Sequence, residues 1–180
     1  MLCFLPLVFL FAICYGDDSY KALDALNLDL YVGNWYEVYQ NNVDKTFQGN
    51  GRCSTATYNF LKNGSISVLN KQILNDKVDA ITGYGYYKDD DSGGYLTIKL
   101  KDLPEAPYWV LSVGPIVDDK YSYSIISDNK KITLFVLTRD VDLFYEKYDS
   151  EVLKQLDEFG FTKKYNKPVY MNQTDCDIKI

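Results

Sequence analysis

The stretch Gly33-Asn34-Trp35-Tyr36-Glu37 decides how this chain is read, and it takes its meaning from a second fragment far downstream, Leu137-Thr138-Arg139-Asp140. An arginine guanidinium keeps its charge and stacks well on an indole face, so a tryptophan and an arginine that meet in space can close one end of a β-barrel. That pairing needs the intervening chain to run out and back, and the pattern between the two fragments has that character.

From residue 17 on, with the run at Trp35 at its front, the sequence is a succession of short runs rich in Tyr, Val, Ile, Leu and Thr, broken by turn residues every ~8–12 positions, the all-β pattern. Strands are predicted over 35–41, 52–61, 65–74, 78–87, 95–101, 107–113, 121–127 and 132–137. Asn63-Gly64 between the second and third predicts a type I′ turn. Eight sequential antiparallel strands can close into a barrel wide enough for one small ligand. A two-sheet sandwich is the competing arrangement, but Asn59, Asn70 and Gln72 within the strands suit a partly wet cavity better than a sandwich core. Over 143–159, Phe144, Tyr148, Val152, Leu153, Leu156 and Phe159 recur at helical spacing, with Asp142 as N-cap and Gly160 as the C′ residue. This one helix should lie by its apolar stripe against the outside of the barrel.

At 180 residues and 20.7 kDa the chain is one domain's worth. A net charge of -6 argues against a nucleic-acid partner, which calls for clustered Lys and Arg. The absence of histidine removes Ser/His and Cys/His nucleophile pairs, the common general base and the usual zinc, copper and iron ligand sets. The acidic run Lys88-Asp89-Asp90-Asp91-Ser92-Gly93-Gly94 lacks calcium-loop spacing and reads as a solvated hairpin loop, so no metal site is expected.

Residues 2–15 are almost wholly apolar and the first charge is Asp17. A stretch this short does not comfortably span a bilayer of ~30 Å, so residues 1–16 read as a signal peptide ending at Gly16, followed by one secreted domain over 17–180 with no integral membrane segment. Cys3 and Cys14 leave with the leader. Cys53 and Cys176 then remain as a pair in an oxidising compartment, where one disulfide is expected. The triplets Asn63-Gly64-Ser65 and Asn172-Gln173-Thr174 mark Asn63 and Asn172 as candidate glycosylation sites.

Taken together, these residues resemble a lipocalin. Gly33, Trp35, Tyr36 and Glu37 meet the family's first motif, and Arg139 meets the arginine that ends its last barrel strand. The order of strands, helix and a short extended segment at 168–171 is similar throughout the mature chain. The nearer likeness is to the subgroup of apolipoprotein D and the insect bilin-binding lipocalins. It is carried by Gly51-Arg52-Cys53, Ala56-Thr57-Tyr58, Val68-Leu69-Asn70, Ala106-Pro107-Tyr108-Trp109-Val110-Leu111 and Thr174-Asp175-Cys176. The resemblance implies one of that subgroup's two bridges, Cys53 with Cys176. The other lacks its N-terminal cysteine, and Ser127 stands near where its partner would lie. The middle family motif is replaced by Val113-Gly114-Pro115 and a longer loop.

The resemblance implies transport or sequestration of a small hydrophobic molecule such as a fatty acid or other lipid, a steroid, a retinoid or a bilin-like tetrapyrrole, with no cofactor required. Tyr58 and Asn70 match pocket positions of the family. Period-2 alternation adds Ala56 and Phe60 beside Tyr58, and Ile66, Val68 and Gln72 beside Asn70; Phe135 and Leu137 share the face of Arg139, with Phe135 deeper in the cup. Tyr108 completes the candidate set. Gly33, Trp35 and Arg139 are read as closing the barrel base rather than touching ligand, and Ile66 and Val68 could equally fill the core. The chain is read as a carrier and not an enzyme. The alternatives are a surface-acting signalling or defence protein that engages a cell-surface receptor through the loop at 114–120, and an isomerase on the same scaffold.

Overall fold

In the computed structural model, which describes residues 20–176, the alternating runs become strands that pair with their sequence neighbours. The order is α1 (Leu28–Tyr31), β1 (Gly33–Gln40), α2 (Asn42–Gln48), β2 (Arg52–Phe60), β3 (Ile66–Leu74), β4 (Lys77–Tyr86), β5 (Tyr95–Leu100) and β6 (Glu105–Val113). There follow β7 (Ile116–Val117), β8 (Lys120–Tyr121), β9 (Tyr123–Ser127), β10 (Leu134–Thr138), α3 (Val141–Leu143), a π-helical turn (Phe144–Tyr148), α4 (Asp149–Glu158) and β11 (Val169–Tyr170). β1 to β6, β9 and β10 pair in that order, and β10 returns to β1 with Tyr36 opposite Thr138 and Gln40 opposite Phe135. The sheet is therefore closed: an eight-stranded antiparallel up-and-down barrel, not a sandwich. β11 adds to β1 where β2 has diverged, with Tyr39 opposite Tyr170. The expected leader lies outside the described residues, and among those residues no helix is long and apolar enough to cross a membrane.

Three local expectations are corrected. Only Gly64 of the Asn63-Gly64 pair has a positive φ, 82°, because the Asn63 Oδ1 accepts from the Ser65 amide and hydroxyl and holds the asparagine out of the left-handed region. Gly64 N donates to Leu61 O and Leu61 N to Ser65 O, which makes a three-residue hairpin loop with glycine at the bulge. Pairs with both φ positive occur instead at Asn75-Asp76 and Asp118-Asp119. The second of these turns the expected loop at 114–120 into the small ribbon β7–β8.

The helix, third, is not continuous from 143 to 159. Asp140 rather than Asp142 caps it, since the chain is still extended at Asp140 on leaving β10 and its Oδ1 accepts from Leu143 N at 2.9 Å. Phe144, Tyr148, Val152 and Leu156 are spaced by four, and such a row drifts around an α-helix of 3.6 residues per turn. The wider π turn takes up that drift at its first step. The stripe so aligned packs Phe144, Val152 and Leu156 on Val38, Ile125, Leu134 and Val136, the outward residues of β1, β9 and β10, in a second core outside the barrel. Gly160, at φ 86°, ends the helix as expected. Cys53 and Cys176 are bonded, Cα to Cα 5.5 Å. At the place where the resemblance puts a second bridge, the Tyr20 hydroxyl donates to Ser127 Oγ at 2.8 Å and ties the N-terminal segment to β9.

Candidate ligand-binding site in the barrel

The floor of the barrel is built by the two fragments with which the sequence is first read. The Arg139 guanidinium carbon lies 3.4 Å from the Trp35 ring centroid. Its Nη1 donates to Asn34 O at 2.5 Å, and Nη2 donates to Tyr31 O at 2.7 Å and Val32 O at 3.1 Å. Trp35 Nε1 donates to Tyr31 O at 2.9 Å. Gly33 sits at φ 111°, and a Cβ there would stand 3.3 Å from Arg139 Nη1, so the glycine admits the arginine. Burial lowers Arg139 to about 10, which still leaves it charged at neutral pH.

Above the floor lies a hydroxyl chain. Tyr31, from α1, stacks on Tyr58 with ring centroids 5.9 Å apart. Its hydroxyl is 2.8 Å from that of Tyr108 and 3.1 Å from Ser124 Oγ, and Tyr108 reaches Tyr58 at 3.0 Å. Burial pushes Tyr31 up to about 12 and raises Tyr58 and Tyr108 as well, so all three stay neutral. Four hydroxyls carry four hydrogens and their three mutual bonds use three, which leaves one donor over on the chain.

The register places the other candidates. Ala56 faces Trp35 on one side and Asn70 on the other, and Tyr58 faces Val68, so these side chains share the inner wall. Ala56, Tyr58, Ile66, Val68 and Leu137 are buried in one cluster with Trp35, against which Tyr108 and Phe135 pack. Phe60 shares the strand parity but stands at the end of β2 and is 48% exposed, so it does not join them. Gln72 lies nearer the mouth, its Nε2 donating to Asp79 Oδ2 at 3.2 Å. Phe135 is not deeper than Leu137. β10 runs from the mouth to the floor, so Leu137, opposite Glu37, is the deeper of the two and Phe135, opposite Gln40, the shallower. Asn63 and Asn172 are both exposed.

The sequence reading missed Tyr31, Glu37, Gln40 and Ser54. Glu37 follows Trp35 by two residues, and the parity rule applied to Trp35 itself would have found it. Ser54 Oγ donates to Glu37 Oε2 at 2.5 Å, and Glu37 Oε1 has no partner among the described residues. Desolvation pushes Glu37 up to about 8. Gln40 Oε1 and Asn70 Oδ1 are likewise buried without partners. Gln40 escapes the parity rule because the β1–β10 register shifts between Glu37 and Tyr39.

At the mouth, α2 is pinned to the start of β10. Asn41 caps it by accepting from Val43 N and Asp44 N, and donates its Nδ2 to Ile132 O at 2.6 Å. Asp44 Oδ2 accepts from Leu134 N at 2.8 Å, and desolvation pushes this carboxyl up to about 7. A different concavity, of about 410 Å³, lies outside the barrel beside the β2–β3 hairpin, where Asn63, Tyr84, Tyr86 and Tyr87 line it.

The two raised carboxyls carry a pH dependence. Each binds its proton more tightly folded than unfolded, so between about pH 4 and the folded values the native state holds more protons and stability falls as pH rises, by at most about 1.4 kcal/mol per pH unit per group. Thermal melts of Glu37→Gln, which cannot ionise, should therefore gain on the wild type steadily from pH 5 to pH 8. A constant difference over that range would mean Glu37 ionises freely when folded.

A Lipocalin-like domain model matches residues 26–168. Temperature-induced lipocalin-1 of Arabidopsis thaliana is 30% identical over 158 residues, 82% of each chain. Apolipoprotein D of Rattus norvegicus is 31% identical over 98 residues, 53% of this chain and 48% of its own. Among solved structures, insecticyanin from the tobacco hornworm Manduca sexta superposes with a TM-score of 0.65 at 17% identity, covering 86% of this chain and 85% of that one. At that identity the likeness speaks for the fold.

Proposed function

The chain belongs to the lipocalin-like family, and from that premise we propose that it is a secreted, non-enzymatic carrier which sequesters a small hydrophobic molecule inside its barrel. The observation that carries this reading is the inner wall itself. Apolar Ala56, Ile66, Val68, Phe135 and Leu137 surround a few buried polar atoms, of Glu37, Gln40 and Asn70, that the protein does not pair. A wall of apolar area with sparse orienting polar groups is what a pocket for a lipid, steroid, retinoid or bilin-like ligand requires. Unpaired buried polar atoms cost about 1–3 kcal/mol each unless a ligand or water meets them. Secretion is supported by the apolar leader and by the Cys53–Cys176 bond, and the exposed Asn63 and Asn172 are then placed to carry glycans.

Native mass spectrometry of protein secreted from a eukaryotic host, followed by organic extraction, tests the reading. A stoichiometric apolar ligand is expected. A clean apoprotein that also refuses retinoid, bilin, steroid and fatty-acid probes would remove the carrier function. Asn70→Leu should weaken uptake about tenfold while leaving the melting temperature within a few degrees, because it removes one polar contact of roughly 1–1.5 kcal/mol from a wall that stays packed. Unchanged affinity would take Asn70 out of the site.

A second reading rests on the ribbon β7–β8, where Ile116 is 57% exposed and Val117 40%. Two apolar side chains on a projecting turn suit contact with another protein, such as a receptor. Replacing both by serine and finding biological activity lost with ligand uptake intact would favour that reading over the carrier.

A further inference from the structure

Three oxygens on the inner wall have no hydrogen-bond partner among the described residues: Glu37 Oε1, Gln40 Oε1 and Asn70 Oδ1. Glu37 is 4% exposed and Gln40 3%, so solvent does not relieve them. Two of the three belong to amides, which can present nitrogen instead of oxygen by turning over. The carboxyl of Glu37 has no nitrogen to present, and it keeps acceptor lone pairs whether or not it carries its proton. It is fixed on one side by Ser54 and faces the interior, on the face of Trp35 and opposite Leu137, whose side chain joins the barrel cluster. The charged or titratable groups near it are Asp44 from α2 and Tyr58 from β2, and neither supplies a positive charge.

We infer that the interior selects apolar ligands ending in a neutral hydrogen-bond donor, a hydroxyl or an N–H, and rejects their carboxylate counterparts, with Glu37 as the group that receives the donor. This deepens the carrier reading and rests on it. The argument has two halves. An acceptor that is buried and unpaired is met by a donor, so a hydroxyl or N–H gains a bond that costs the protein no further desolvation. A carboxylate, by contrast, must lose its water and find a cation. The inward positions of β1, β2 and β3 hold Glu37, Gln40, Ser54, Asn70 and Gln72 and no cation; on β4 the same parity carries Asp79, opposite Gln72, and Lys77, which is exposed at the rim end of the strand, far from Glu37 along the barrel wall. The cation at the floor, Arg139, is already spread over Trp35 and the backbone oxygens of Tyr31, Val32 and Asn34. Burial also keeps Glu37 mostly protonated at neutral pH, so it meets a neutral group as a neutral acid. A carboxylate there would bring a net negative charge into a site of low polarity with no cation to meet it.

Retinol and retinoic acid make the matched pair that tests this, since they differ only at the terminal group. Fluorescence titration of the mature protein at pH 7 should give a dissociation constant at least tenfold lower for the alcohol. Glu37→Leu should lose about tenfold in retinol affinity with little change for the acid, whereas Glu37→Gln, which keeps an acceptor, should retain the preference. Circular dichroism melts establish that the variants fold. Should Glu37→Leu not fold, the wild-type ratio and Glu37→Gln still decide. Equal affinity for the two retinoids, tighter binding of the acid, or a preference undiminished in Glu37→Leu overturns the inference and leaves the carrier reading standing. Uptake of neither retinoid by the wild type overturns the inference, and the carrier reading falls with it only if bilin, steroid and fatty-acid probes are refused as well.

Discussion

Changing Cys53 and Cys176 together to alanine will lower the unfolding free energy by about 4–5 kcal/mol, the largest loss expected from any change that leaves the folded barrel intact. The bond joins residues 123 apart, and for a loop of that length the chain-entropy model assigns nearly its full effect to the unfolded state, which the cross-link keeps from expanding. The folded state has other ties across the same junction. Cys53 N donates to Asn172 O at 2.7 Å, Gln173 Nε2 donates to both Glu37 O and Ser54 O at 2.7 Å, and Met171 N donates to Val38 O at 3.0 Å. The C-terminal segment should therefore stay docked without the bridge. Urea unfolding of the variant should show the shifted midpoint, while amide exchange at Met171 and Cys53 stays slow under native conditions. A loss below about 1 kcal/mol would show that the unfolded chain is already compact without the bond. Fast exchange at Met171 would instead place the effect in the folded state, with β11 coming away from β1.

Most of the fold was legible because a barrel repeats one local rule. Period-2 alternation located every barrel strand to within a few residues, and the helical spacing of Phe144 to Phe159 located the outer core. Where the reading failed, a contact distant in sequence or a side chain bonded to its own backbone had displaced the local preference. Asn63 looked like half of a type I′ turn until its Oδ1 was claimed by Ser65. Asp142 looked like a cap, but β10 ends one turn earlier and Asp140 is where the extended chain stops. The interior was harder to read. The family likeness placed Tyr58 and Asn70 and strand parity set Ala56 and Val68 beside them, yet parity has no term for strand ends, and Phe60 fell beyond the wall. Nor does it survive a register shift, which hid Gln40. Glu37 was hidden in a different way. It belongs to the very stretch that identifies the family, and a motif read as a label was not read as a row of side chains with faces.

Arg139→Ala should cost about 3–5 kcal/mol, the second large effect, and the series Arg139→Lys, Arg139→Met and Arg139→Ala separates its causes. The guanidinium does two things at once: it covers the Trp35 face, and it gathers the backbone oxygens of a segment, residues 31–34, that turns from α1 into β1. Those carbonyls lie in a helix end and a strand start, where no regular backbone partner serves them. Methionine restores apolar cover for the indole but no donor. Lysine restores charge and donors, but as a point at the end of a flexible stem, without the planar fork that reaches several carbonyls together. If the orphaned carbonyls dominate, lysine should recover more stability than methionine. If apolar cover of the indole dominates, methionine and lysine should be nearly equal, because the stem of each still covers the ring. The bonding counted at Arg139 favours the first order, wild type above lysine above methionine above alanine. The same order should appear in the exchange rate of the Trp35 indole N–H, which is bonded to the Tyr31 carbonyl that Arg139 also holds. Loss of stability without faster exchange at that indole would mean the floor stays closed on Trp35 and Tyr31 alone, and that the arginine stabilises the join between β10 and the N-terminal segment rather than the floor itself.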